Sequence, residues 1–326
     1  MPRLLFSLVL LVGAATVAPR PPVSAQETRD DQGALAVLRR DGVILPFASF
    51  DRDFWEITWP TSFRDVKLPS TLEQIPEKWW GKGSPKGWRA YTRSGAPIDI
   101  SLRSVGAFRP FCVDRLGLAT TYKSPEPLPP RPVRPFPKDG IAVSGNIPIE
   151  PIESVNPASP DVRALVAQLA KQFDQAESRT IGQVRNNTGW RHRFNDDERS
   201  ALPIRLESWY RSPSSEPGWT VSYIEASRAY PPGPEDKGCG LETFVSGWMH
   251  HNRGELSKTT ALTAKLTYCD RVGVVYMLPF GRIRPRTRDY WIFQLSGWEA
   301  EWYDVAEVGR EKVRHVIEMN AGGCRF

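Results

Sequence analysis

Arg282, Arg284, Arg286 and Arg288 stand at every second position of the stretch GRIRPRTRD. On an extended backbone that spacing aims four guanidinium groups to one side, with Pro285 placed to bend the row. Like charges at this density repel unless an acidic surface or an anionic ligand answers them. Two readings follow: a binding patch for an anion, or a face satisfied by solvent and internal salt bridges.

Aromatic residues offer a second kind of contact. The chain has 12 tryptophans, and Trp79 and Trp80 are adjacent beside the loop GKGSPKG at 81–87. An indole presents a flat apolar face and one donor, which suits a sugar ring as well as a protein core. The loop itself lacks the Gly-x-x-x-x-Gly-Lys-Ser/Thr order that cradles phosphates.

Residues for catalysis or metal binding are sparse. The four histidines are His192, His250, His251 and His315, with no His-x-His or His-Glu-x-x-His spacing. His250 and His251 end a predicted strand, point to opposite faces and read as a surface pair, so no metal and no cofactor are expected. Glu299 and Glu301 share a strand face, as a glycosidase pair would. Trp298, Ala300 and Trp302 take the other face, so the acids read as the wet side of a half-buried strand. Ser246 and Ser296 precede Gly-Trp without the Gly-x-Ser-x-Gly elbow.

Arg3, the apolar run Leu4–Ala18 and Val23-Ser24-Ala25 follow the order of a secretory signal, with cleavage expected after Ala25. The apolar run, ~15 residues, falls short of the ~20 of a spanning helix. A soluble secreted or periplasmic protein is expected, with no transmembrane anchor in the mature chain. Cleavage removes Arg3 and Arg20 and no acid, lowering the net charge from +6 to +4. That mild balance and export exclude nucleic acid as the expected partner. In an oxidising compartment the four cysteines read as two disulfides: Cys239 with Cys269, which border strands of one region, and Cys112 with Cys324 by elimination. Four free thiols are the alternative.

The elements that must position these residues are mostly strands. Asp41-Gly42 between Ala34–Arg39 and Val43–Phe50 predicts a hairpin. Further strands are expected at 88–92, 98–102, 111–122, 205–210, 219–226, 241–249, 262–304 and 312–319. Ser159-Pro160-Asp161 opens a helix with apolar residues at Val162, Leu165, Val166, Leu169 and Phe173. Its expected end is near Ser178, before a polar loop from Asn186 to Ser200. Seven prolines within 124–138 mark a stiff connector. The organisation is therefore a signal segment at 1–25, a β-rich region at 26–123, a connector at 124–159 and an α+β region at 160–326. The two regions are open to forming one composite domain. Leu45-Pro46-Phe47 before Asp53-Phe54-Trp55 is echoed by Leu278-Pro279-Phe280 before Asp289-Tyr290-Trp291.

The expected fold is a β-rich α+β class with antiparallel sheets, a sandwich among the arrangements open to them, and one amphipathic helix packed on a sheet. The expected function is non-enzymatic binding of an anionic or glycan ligand. A hydrolase of extracellular or envelope polymers and a structural or assembly component are the alternatives.

Overall fold

A computed structural model describes residues 31–61, 67–93, 96–108, 113–130, 133, 135–234, 238–252, 255–309 and 312–324. The signal segment, 1–25, and Cys112 lie outside the described residues. The hairpin forms as expected: strands β1 (Gln32–Arg39) and β2 (Val43–Asp51) pair antiparallel around Gly42, which turns the chain at φ +80°.

Around this hairpin grows the first sheet. Its other strands are β3 (Phe54–Glu56), β4 (Trp88–Thr92), β5 (Ile98–Ile100), β6 (Leu102–Phe108), β7 (Arg115–Thr120) and β8 (Lys138–Ser144). They run in the order β5-β4-β8-β1-β2-β7-β6, with β3 on β2. The stretch expected as a connector thus supplies a central strand. Prolines stop at Pro137, and Lys138–Ser144 has free N–H groups to pair with both β1 and β4.

The second sheet runs β13-β12-β11-β10-β9, from β9 (Glu153–Ser154), β10 (Arg205–Pro213), β11 (Trp219–Ala229), β12 (Leu241–Asn252) and β13 (Glu255–Tyr268). The third is a meander of β14 (Tyr276–Ile283), β15 (Tyr290–Ser296), β16 (Ala300–Val308) and β17 (Val313–Gly323). Every pairing is antiparallel.

Stacking explains the apolar runs. Tyr290 and Ile292 of β15 join Leu35, Val37 and Phe47 of the first sheet in one core. The alternate residues Trp291 and Phe293 join Val221, Tyr223 and Trp248 of the second sheet in another. The third sheet is therefore the middle layer; its central strand β15 is dry on both faces from Tyr290 to Phe293 and needs no polar alternation, while the edge strand β17 keeps exposed residues. On the far face of the first sheet Trp59, Trp79, Trp80 and Trp88 close a further core.

Helix α1 (Pro160–Thr188) covers the outer face of the second sheet, setting Val162, Leu165, Leu169 and Phe173 on Trp209, Ile224, Val245 and Met249. It begins where Ser159-Pro160 predicts but runs past Ser178. Ala176 and Ile181 continue the buried stripe, and Gly189 ends it in the left-handed conformation at φ +74°. Within the expected polar loop, Asp196–Ser200 forms helix α2, closed by a reciprocal capping box between Asn195 and Glu198. Deep in its second half, α1 is fixed by Glu177, a fully buried carboxylate that accepts from Arg228 Nη1 at 2.7 Å and Arg199 Nε at 3.3 Å.

The two Leu-Pro-Phe segments share a local device. Register slips leave Phe47 unpaired between Pro46 and Ala48, and Phe280 unpaired between Pro279 and Gly281. Both bulged phenylalanines enter the core between the first and third sheets. Cys239 and Cys269 form a disulfide with Cα atoms 5.3 Å apart, stapling the open end of the β12–β13 hairpin. Cys324 is also disulfide-bonded, but the expected partner Cys112 lies outside the described residues. Among the described residues no helix is long and apolar enough to cross a membrane.

Candidate functional site

Between the first turns of α1 and the strands beneath them lies a pocket of about 450 Å³. Its floor is a cross-strand row in which Pro213 of β10 faces Thr220 of β11, which faces His251 of β12. Its walls are Trp209 and Arg211, two apart on β10 and so on one face, with Leu165 and Gln168 of α1 above. At the mouth Glu153 of β9 sits opposite Arg211 and accepts from Nε and Nη2 at 2.7 and 2.8 Å. The same guanidinium lies 5.2 Å over the Trp209 ring. Trp209 Nε1 donates to the buried Ser222 Oγ at 3.0 Å, which fixes the indole plane.

His251 is the odd member. Its side chain lines the pocket at 6% exposure, and Nε2 is buried without a hydrogen-bond partner. Burial, then the neighbouring His250 and Arg211, push its pKa down to about 4. The imidazole is therefore neutral at neutral pH, one nitrogen a donor and the other an acceptor. A buried polar atom left unsatisfied costs about 1–3 kcal/mol, which a hydroxyl in the pocket would recover.

The residues singled out from the sequence fall elsewhere. The arginine row does not form one face. Arg282, on β14, is buried, donating to Pro213 O and Glu150 Oε2. Arg284 Nε donates to Asp289 Oδ1 at 2.7 Å, and Arg288 lies 3.2 Å from Glu307 and 3.6 Å from Asp53. Arg286 is exposed and sits at φ +54°, a left-handed residue that breaks the strand alternation on which the row depended. Carboxylates of the protein pair with Arg282, Arg284 and Arg288.

Trp79 and Trp80 are 8% and 6% exposed, packed on Trp59 with ring centroids 5.8 and 5.5 Å apart, and so are core and no platform for a glycan. The two short 3-10 turns before them fold this segment back onto the first sheet. Glu301, expected on a wet face, is fully buried and pairs with Lys138 Nζ of β8 at 2.5 Å. The alternation is right but its sign is inverted, because the face of β16 carrying Glu301 and Tyr303 meets the first sheet, while Trp298 is 58% exposed. His250 and His251 do lie on opposite faces, yet both are buried and are no surface pair.

Sequence reasoning noted His251 and missed Trp209, Arg211, Glu153 and Gln168 as its company. The Trp-x-Arg step on one strand face was visible, but nothing local announced that β9 and α1 would meet it. Family models, curated proteins and solved structures were compared with this chain, and none matches it.

Proposed function

We propose that the protein is an exported, non-enzymatic binding protein that holds a small saccharide between α1 and the second sheet. The observation that carries this reading is His251 Nε2, a buried polar atom without a partner on the wall of a pocket. The volume lies within the ~300–1,000 Å³ range of small-molecule sites. Its lining has one aromatic ring, one neutral imidazole, hydroxyls at Ser212 and Thr220 and an amide at Gln168. Glu153 and Arg211 cancel, so the lining carries no net charge. A polyhydroxylated neutral ligand matches that set better than an anion, which would face an arginine already satisfied.

The test is a glycan screen followed by calorimetry on the purified protein and its His251→Phe variant. Mono- or disaccharide binding with Kd of ~0.1–1 mM is expected, weakened at least tenfold in the variant and unchanged from pH 5.5 to 8. Absence of any saccharide binding, or equal binding by His251→Phe, overturns the reading.

A further inference from the structure

A second polar cluster lies on the last two strands of the third sheet. Phe293, Asp304 and Glu318 form one cross-strand row through β15, β16 and β17. They share the face that turns toward the second sheet, where Phe293 and Ala306 are packed. His315 stands three residues before Glu318 on the same strand, an odd spacing that sends side chains of a regular strand to opposite faces. The register slip on β17 changes this. Val305 pairs with Ile317 and Ala306 with His315, so Val316 is bulged out and His315 returns to the face of Asp304 and Glu318. An imidazole and two carboxylates are thereby gathered with their ligand atoms all within 4.8 Å of one another.

Asp304 makes the cluster more than an exposed acidic group. Its side chain is fully buried, its Oδ2 lies 2.7 Å from His315 Nδ1, and its Oδ1 is buried with no hydrogen-bond partner. No lysine or arginine pairs with Asp304 among the described residues, so the only cationic group answering it is an imidazole that must first take up a proton. Two carboxylates, one of them buried with an unpartnered oxygen, thus stand about a single imidazole.

We propose that Asp304, His315 and Glu318 bind a divalent first-row transition cation, with Zn²⁺ as the reference ion. At Zn–ligand bonds of about 2.1 Å, adjacent ligands of a tetrahedral site stand about 3.4 Å apart, so the 2.7 Å contact between His315 Nδ1 and Asp304 Oδ2 opens by roughly 0.7 Å to admit the ion. Binding displaces the proton shared along that contact, and the metal takes its place between the two atoms. Glu318 is exposed and free to change rotamer, so it closes the remaining distance without moving the sheet. The nitrogen ligand selects against Mg²⁺ and Ca²⁺, which prefer oxygen cages. β17 is an edge strand, and His315 keeps 46% of its side chain exposed, so the remaining coordination position faces solvent. It is open to water or to a donor atom from a partner.

Equilibrium dialysis of the untagged protein against Zn²⁺, with metal read by mass spectrometry, tests this. One Zn²⁺ per chain is expected, with Kd on the order of 1 μM, and the cobalt-loaded protein should show ligand-field bands in the visible spectrum. Glu318→Gln should weaken binding by roughly tenfold, and His315→Ala should abolish it. Glu318→Gln changes an exposed residue and is expected to fold, while His315→Ala also removes the partner of the buried Asp304, so its fold is checked by circular dichroism and Glu318→Gln carries the test if that variant unfolds. Stoichiometric binding that survives in the His315→Ala, Glu318→Gln double variant would place the metal elsewhere and overturn the assignment. So would binding of Ca²⁺ in preference to Zn²⁺, or no binding of Zn²⁺ below ~100 μM.

Discussion

The arginine loop between β14 and β15 and the pocket under α1 treat polar groups in opposite ways. In the loop, three of four guanidinium groups are met by carboxylates: Arg282 by the distant Glu150, Arg284 by Asp289 of the loop itself, and Arg288 by Asp53 and Glu307. In the pocket, one uncharged imidazole is left unmet beside a void. The loop's charge is met by carboxylates, although Arg282 Nε is buried without a partner; the pocket's unmet group is a neutral imidazole on the wall of a void, in a lining with no net charge. A ligand gains most where the protein has left a buried group unsatisfied, so charge density alone is a poor guide to a binding site.

If the loop is structural, removing its buried acid must hurt stability. Asp289 is 4% exposed and accepts from Arg284 Nε at 2.7 Å and from Ser215 N at 2.6 Å, with Arg282 at 3.8 Å. Asp289→Ala strips the buried Arg282 of one of its two carboxylates and detaches the β10–β11 turn. A loss of about 3–5 kcal/mol is expected from urea unfolding. A loss under ~1 kcal/mol would return the arginines to the surface and erase the contrast with the pocket.

The pocket's neutrality is read from its pH dependence. His251 titrates near pH 4 in the fold and near 6.5 when unfolded, so the unfolded chain binds the extra proton between those values. Its contribution to stability is complete above pH 6.5 and is lost as pH falls through 4, on the order of 3 kcal/mol. Glu225, on the opposite face of the second sheet, accepts from Met277 N at 2.6 Å, and burial pushes it up to about 7. Its contribution is complete below about 4.5 and is lost as pH rises through 7, so the two groups oppose each other over the same window. Single variants separate them. Relative to His251→Asn, the natural protein should lose about 3 kcal/mol of stability between pH 7 and 4. Glu225→Gln should be the more stable protein at pH 8, by about 2–3 kcal/mol, and equal to the natural one at pH 4. If the His251→Asn difference does not change with pH, the imidazole is not neutral by burial and the pocket is solvated.

The sequence made local features legible and left distant ones dark. Asp41-Gly42, Ser159-Pro160 and the alternating strands announce structure through neighbours on the chain, and the hairpin, the start of α1 and the antiparallel sheets follow. The wet face assigned to Glu301 failed because alternation tells which residues share a side, not which side meets another sheet. Lys138, which makes burial of Glu301 tolerable, is 163 positions away. Arg282 was visible as charge, but its partner Glu150 is 132 positions away, and the unexpected strand β8 precedes it in the stretch expected as a connector. The pocket draws on α1, β9, β10, β11 and β12 at once, so its residues had no shared signature to read.

Arg286 gives the smallest and most discriminating test of the contrast. It is the one arginine of the row that is both exposed and held at a positive φ, where a side chain with a Cβ is strained by about 1 kcal/mol. Arg286→Gly removes that strain while adding backbone freedom to the unfolded chain, and the two terms nearly cancel. Stability should therefore change by no more than ~0.5 kcal/mol. Saccharide affinity in the pocket should change less than twofold, since Arg286 lines none of it. A fall in affinity beyond about threefold would mean that the loop, emptied of one charge, had been taking part in recognition, and the division between an answered region and a vacant one would no longer hold.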